Sequence, residues 1–204
     1  ALPRLWEELK AGWEFIIARK SVLVAICQHA LMTMLTMVIA VLTPGFVTRV
    51  LGMQPTDAIY IFFSAGLGRF LVTMWTGYLG HRFRRETLVA AGLLIAGLAL
   101  VGFTFVAWNG ETAPGTMAKP SQEVIIQVVC MALALGVGGT LAVVAAQTIV
   151  QERSPVEIRG RVIAAEFLFA NVAGLLPMLV ISGLADFIGI PTVLMTLATL
   201  VTTT

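Results

Sequence analysis

The chain has 204 residues, 58% of them hydrophobic and 12% charged, with a mean hydropathy of +0.95 and a formal net charge of +2. Soluble domains are roughly 45–50% apolar and about 25% charged, and a soluble globule of this size could not hide so much apolar surface. The composition therefore excludes an ordinary soluble enzyme or binding module and points to a chain solvated by lipid.

The first element, residues 1–20, reads as an amphipathic helix. Trp6, Leu9, Trp13, Ile16 and Ile17 fall on one side, and Glu7, Glu8, Lys10 and Glu14 fall elsewhere. It is either an interfacial helix on the inner membrane surface, anchored by tryptophans, or a linker helix docked on protein. Five apolar runs follow: Val22–Leu42, Ala58–Leu79, Leu88–Trp108, Val124–Val150 and Val162–Leu184. Each reaches the roughly 20 residues that a helix needs to cross a bilayer. A sixth begins near Ile188. From Pro191 onward it gives roughly 21 Å of helix, short of the ~30 Å hydrocarbon thickness. With that short last helix, an Ala1 start and no signal peptide, the chain is expected to be a piece of a longer protein. The expected division is a linker helix over 1–20 and a six-helix transmembrane bundle over 21–204.

The connections carry the orientation. Lys and Arg number 13; ten lie in the N-terminal stretch, the second-to-third gap and the fourth-to-fifth gap, against Arg49 and Lys119 in the alternate gaps. Positive residues stay on the cytoplasmic side during insertion, so both termini are expected inside and the chain in the plasma (inner) membrane. The outer gaps hold Pro and Gly in turn-forming settings. The inner gap QERSPVEIRGR carries an S-x-x-E pattern, with Ser154 as helix cap, Pro155 at the first position and Glu157 closing the box. The basic residues cap apolar runs rather than stud an aromatic surface, so no nucleic-acid partner is expected. Cys27 and Cys130 have no CxxC or His neighbour, so no metal site and no cofactor are expected, and both read as small core residues.

The loop GYLGHRFRRE resembles the G-x-L-A-D-R-x-G-R-R motif of the major facilitator superfamily of transporters. Gly77, Leu79, Arg82 and Arg85 match; His81 stands in place of the acid, Arg84 in place of the glycine, and Glu86 in place of the last basic residue. The second inner loop, with Pro155, Glu157, Arg159, Gly160 and Arg161, resembles the S-P-x-E-x-R-G-R pattern of the drug- and siderophore-exporter branch. The resemblance implies an all-α membrane protein of six transmembrane helices in two inverted three-helix repeats, forming the C-terminal half of a twelve-helix exporter. Its partners would then be the lipid bilayer, an N-terminal half, a small-molecule substrate and protons. Histidine cannot supply the negative charge with which the motif's acid helps hold a latch in the family, so this loop reads as either the degenerate second copy, the preferred reading, or a variant latch.

Within the runs, Arg69 lies near the middle of Ala58–Leu79, where insertion costs about 2.5–3.5 kcal/mol. It shares a face with Thr73 and Thr76. It is either a cavity-lining cation for an anionic substrate group or half of a fixed buried pair. Glu166, roughly 9 Å shallower by helical rise, is its candidate partner; it could also serve as a proton site or pair with Arg159 or Arg161. His29, Thr33 and Thr36 form a polar stripe in the first run, lining a cavity or packing helices. Asn171 is either interhelical glue or a substrate contact. Gly136, Gly139, Gly174 and Pro177 read as close-packing or hinge positions. The third run, with no strongly polar side chain, is placed against lipid at the periphery.

The function expected is secondary active, proton-coupled efflux of amphipathic small molecules by alternating access. The alternatives are a non-transporting sensor or scaffold that keeps the fold and an intramembrane enzyme. For the enzyme, the one Ser/His candidate pair, Ser64 and His29, differs in depth by about 12 Å.

Overall fold

The computed structural model describes residues 13, 15–111 and 120–203. For some of the helical residues, Thr76, Leu79, His81 and Arg82 among them, it describes the backbone alone. The described helices are α1 (Lys20–Gly45), continued by a π-helical segment (Phe46–Val50); a 3-10 turn (Pro55–Asp57); α2 (Ala58–Arg82); α3 (Arg85–Glu111); α4 (Gln122–Arg153); α5 (Arg159–Ile188); and α6 (Ile190–Thr202). No strand occurs among the described residues. Four stretches are long and apolar enough to cross a membrane: Lys20–Val50, Pro55–Trp75, Arg85–Asn109 and Gln122–Arg153. α1 to α5 each run a few residues past their apolar runs, because the polar residues that flank a run still continue the backbone ladder.

α4 is the hub. It packs against α1, α2 and α3, while α5 packs mainly on α1 and α6 on α3. Lipid supplies no hydrophobic drive between apolar helices, so association depends on van der Waals fit, and small residues let backbones approach. Gly136 of α4 meets the backbone of Ala65 on α2, and Gly138 meets Gly92 and Ala96 on α3; a Cβ built on Gly138 would lie 2.7 Å from the Gly92 carbonyl and from the Ala96 amide. One end of the bundle collects the charge. There Arg85 pairs with Glu152 at 3.1 Å and Arg153 with Glu86 at 2.6 Å, a crossed pair joining the start of α3 to the end of α4. Arg19, just before α1, reaches the Arg153 carbonyl at 3.4 Å. This basic end places the start of α1 and the end of α4 level with one another.

Several expectations change. The first helix does not stop at Pro44: the proline sits inside α1, and the chain continues helical to Val50. Proline has no N–H and crowds the preceding turn; the ladder beyond it closes wider rings, as from the Leu51 amide to the Phe46 carbonyl at 3.2 Å. Ser154 does not cap the next helix. It ends α4, its hydroxyl donating to the Val150 carbonyl at 2.6 Å, and α5 starts at Arg159 with no side-chain cap. The S-x-x-E pattern loses because the serine's own preceding turn offers a nearer acceptor. α3 is the most buried of the four candidate spans, since α4 and α6 cover two of its sides. Cys27 and Cys130 are exposed on outward helix faces instead of buried in the core. Of the N-terminal amphipathic helix, residues 1–12 and 14 lie outside the described residues. Within the rest, Trp13 packs on Phe169 of α5 with ring centroids 5.5 Å apart, Ile16 is fully buried, and Ile17 is exposed.

The glycine contacts make a paired prediction. Gly136→Leu drives a side chain into the α2 backbone and is expected to destabilise the bundle by about 1–3 kcal/mol or more. Gly139→Ala enters space open to at least 4 Å and is expected to leave stability unchanged or slightly raised. Thermal unfolding of the purified variants in detergent checks both.

Candidate functional site

α1, α2 and α4 line a partly open cavity of about 440 Å³. Its wall is apolar apart from Arg69 of α2, Thr33, Thr36 and Thr43 of α1, and Thr140 of α4. Each of the three α1 threonines donates its hydroxyl proton to its own helix: Thr33 to the His29 carbonyl at 3.0 Å, Thr36 to Met32 at 2.9 Å, and Thr43 to Ile39 at 2.6 Å. Their oxygens remain free to accept. Among the described residues the Arg69 guanidinium meets no carboxylate and the cavity wall holds no acidic side chain. Met32 and Met37 are also wall residues.

A second polar cluster lies nearer the basic end. His29 and Glu166 are both buried, and Nδ1 of the imidazole is 2.8 Å from Oε1 of the carboxylate. On the opposite side of the ring, Nε2 faces the Gln147 amide nitrogen at 3.4 Å, and Phe167 packs edge-on at a centroid distance of 6.0 Å. The arrangement is self-consistent for a neutral imidazole: Nδ1–H donates to Glu166, and Nε2 accepts from Gln147. A second proton on the ring would turn Nε2 into a donor and require the Gln147 amide to flip. The cluster ties three helices together through side chains that apolar surroundings cannot otherwise satisfy.

Glu166 therefore meets His29, not Arg69, Arg159 or Arg161. For Arg69 the reason is adjacency: α5 packs mainly on α1. Arg159 instead donates to the Ser154 carbonyl at 3.3 Å. Of the predicted face on α2, Arg69 lines the cavity, Thr73 donates to the Arg69 carbonyl at 2.9 Å, and the Thr76 side chain is outside what is described. Asn171 is exposed and donates to the Phe167 carbonyl of its own helix at 2.7 Å, so within this chain it glues no helices. Ser64 donates to the Tyr60 carbonyl at 2.6 Å, so its hydroxyl proton is committed to its own helix. In the loop motifs, Arg85 and Glu86 form the crossed pairs with α4; the side chains of Leu79, His81 and Arg82 lie outside what is described; Gly77, Pro155, Glu157 and Gly160 are exposed. Gln147 and Thr140 were not picked out from sequence. Both are polar interruptions of the run Val124–Val150, and counting from its inner end would have placed Gln147 near the depth of His29 and Glu166.

The sequence profile of the Major Facilitator Superfamily matches residues 7–203, nearly the entire chain. The chain belongs to this superfamily. Searches against curated proteins and against solved structures give no match. Membership and the apolar helices make this superfamily chain an integral membrane protein of transporter type, residing in a lipid bilayer; members of the superfamily are generally transporters rather than enzymes.

For the buried cluster, His29→Ala leaves the Glu166 carboxylate without its partner and is expected to cost about 3–5 kcal/mol. Glu166→Gln keeps an acceptor for Nδ1–H and is expected to cost distinctly less. Melting of the two variants in detergent decides; equal losses would show that His29 does not hold the carboxylate.

Proposed function

We propose that this chain is the C-terminal half of a twelve-helix, proton-coupled secondary transporter that exports amphipathic small molecules by alternating access. It would cross the plasma (inner) membrane six times as two inverted three-helix repeats, with both termini inside and an interfacial helix at residues 1–20. The observation that carries the reading is a largely apolar cavity with a mid-membrane arginine, beside a separate buried His–Glu pair. A substrate path and a coupling group need to be near one another without being the same atoms.

Three further features support it. The volume falls within the roughly 300–1,000 Å³ of small-molecule sites. α2 is the least buried candidate span, at 28% against 39–56% for the others, and an N-terminal half packed on it would close the cavity between two halves. The loop motifs resemble those of the drug- and siderophore-exporter branch. In this scheme Glu166, bridged by His29, takes and releases the coupling proton, and the Gln147 amide follows the ring's protonation. The groups facing that pair are Gln147 on α4 and Phe167 on α5, while Arg153, Arg159 and Arg161 cluster at the basic end.

Two measurements test the proposal. In proteoliposomes of the intact transporter, flux of a panel of fluorescent amphiphiles of either charge sign is expected to rise with an imposed pH gradient. Glu166→Gln is expected to cut gradient-driven flux at least tenfold while sparing exchange without a gradient. Flux indifferent to the gradient removes proton coupling, and no flux of any dye leaves a non-transporting scaffold. For topology, single cysteines are placed in a Cys27→Ser/Cys130→Ser background. Gln54→Cys is expected to react with an impermeant reagent on intact cells, and Val156→Cys only after permeabilisation. The reverse pattern inverts the orientation.

A further inference from the structure

The cavity is polarised along the helix axes, with its charge at one level. Counted from the basic end, Thr33 of α1, Arg69 of α2 and Thr140 of α4 each lie about thirteen residues into their helices, or ~20 Å at 1.5 Å per residue. The ends used for that count are held level: Arg19 bonds the Arg153 carbonyl, and Arg85, three residues beyond α2, pairs with Glu152. Three polar groups from three helices thus converge at one depth. Toward the opposite end the wall is mostly apolar, with Phe62 and Leu135 some 7–10 Å further along by the same rise; the hydroxyls on that side, Thr36 and Thr43, have given their protons to their own helix.

The donors at the polar level are few: the Arg69 guanidinium and the single neutral hydroxyl of Thr140. Thr33 has already given its proton to the backbone, so it can accept but not donate. Arg69 supplies five N–H donors and, among the described residues, the one formal charge in the wall, with nothing acidic there to neutralise it. The nearby carboxylate of Glu166 is engaged by His29. Arg69 is exposed on the open side of a largely apolar wall, where its guanidinium attracts an anion and can hold a carboxylate by two parallel hydrogen bonds. A second anionic group would find no second cation, and a cation would meet only repulsion.

We propose that the cavity takes an amphipathic monoanion with a single carboxylate head, the head on Arg69 and the apolar body toward Phe62 and Leu135. This rests on the transporter reading for its biological meaning, since it names the class of cargo for that same cavity. An anionic bilayer lipid shares the chemistry, and the experiment separates the two.

The test is calorimetric binding to the intact transporter in phosphatidylcholine nanodiscs, with empty discs subtracted. The probes share one apolar body: 6-phenylhexanoate, the corresponding alcohol, the corresponding amine, and a phenylalkyl malonate as dianion. The acid is expected to bind at least tenfold more tightly than any of the others. Arg69→Gln is expected to erase that preference while leaving the alcohol's affinity and the melting temperature close to wild type, and Arg69→Lys to retain part of it. Tightest binding by the amine or the dianion, absence of acid binding, or a preference that survives Arg69→Gln overturns the proposal. Loss of acid binding in phosphatidylglycerol-rich discs assigns the cavity to bilayer lipid and overturns it as a cargo site. Binding is read without flux, so a protein that binds the acid and moves no dye overturns the transport reading alone. Flux without acid binding overturns this inference alone.

Discussion

The bundle depends on backbone-to-backbone contact at α4. Where lipid surrounds every helix, burying a leucine gains little over leaving it in the bilayer, and cohesion falls to close van der Waals fit. The fourth run meets that requirement with glycine where it crosses α2 and α3. Gly136 lies against Ala65, and Gly138 against Gly92 and Ala96. Glycine is the worst helix former after proline in water, but here it acts as a shape. Without those two crossings neither α2 nor α3 could come near enough for the rest of the core to form.

The same crossings place the polar groups. Holding α2 against α4 near Gly136 sets Arg69 beside the wall of α1 and α4, and seating α5 on α1 brings Glu166 to His29. A charge or titratable side chain at membrane depth is expensive and marks function by default, and this chain has few. Each described one near the middle of the bundle belongs to the cavity or to the cluster beside it. Other polar side chains at that depth, such as Ser64, Thr73 and Asn171, turn back on their own helices and satisfy themselves locally.

Much of this was legible from residues alone. The helices were, because a 20-residue apolar run admits one backbone solution in lipid. Arg69 was, because an arginine inside such a run needs a reason. Pairings were not. Helical rise gives depth, and depth made Arg69 a possible partner for Glu166, but only packing says which helices touch. Gln147 escaped notice because its run, Val124–Val150, is long enough for its inner turns to look like mere extension. Pro44 misled because turn signatures describe chains in water, where a broken rung is solvated; in an apolar medium the backbone keeps its ladder wherever it can and widens it past Pro44. Ser154 misled for another reason: its hydroxyl finds a nearer acceptor in the Val150 carbonyl of its own preceding turn. The resemblance of the inner loops to a transporter family pointed to the superfamily that the profile match establishes.

The proline in α1 has a mechanical consequence. A rod missing one rung, and strung with looser rings above it, is stiff below and compliant above. His29 and Thr33, one turn apart and joined by the threonine's own bond to the histidine carbonyl, sit on the stiff part. Flexure of α1 would be absorbed beyond Thr43, leaving those two residues locked in register. The distance between the buried imidazole and the cavity wall is then a constant of the machine, and whatever alters one is felt at the other within a single coil of the spring.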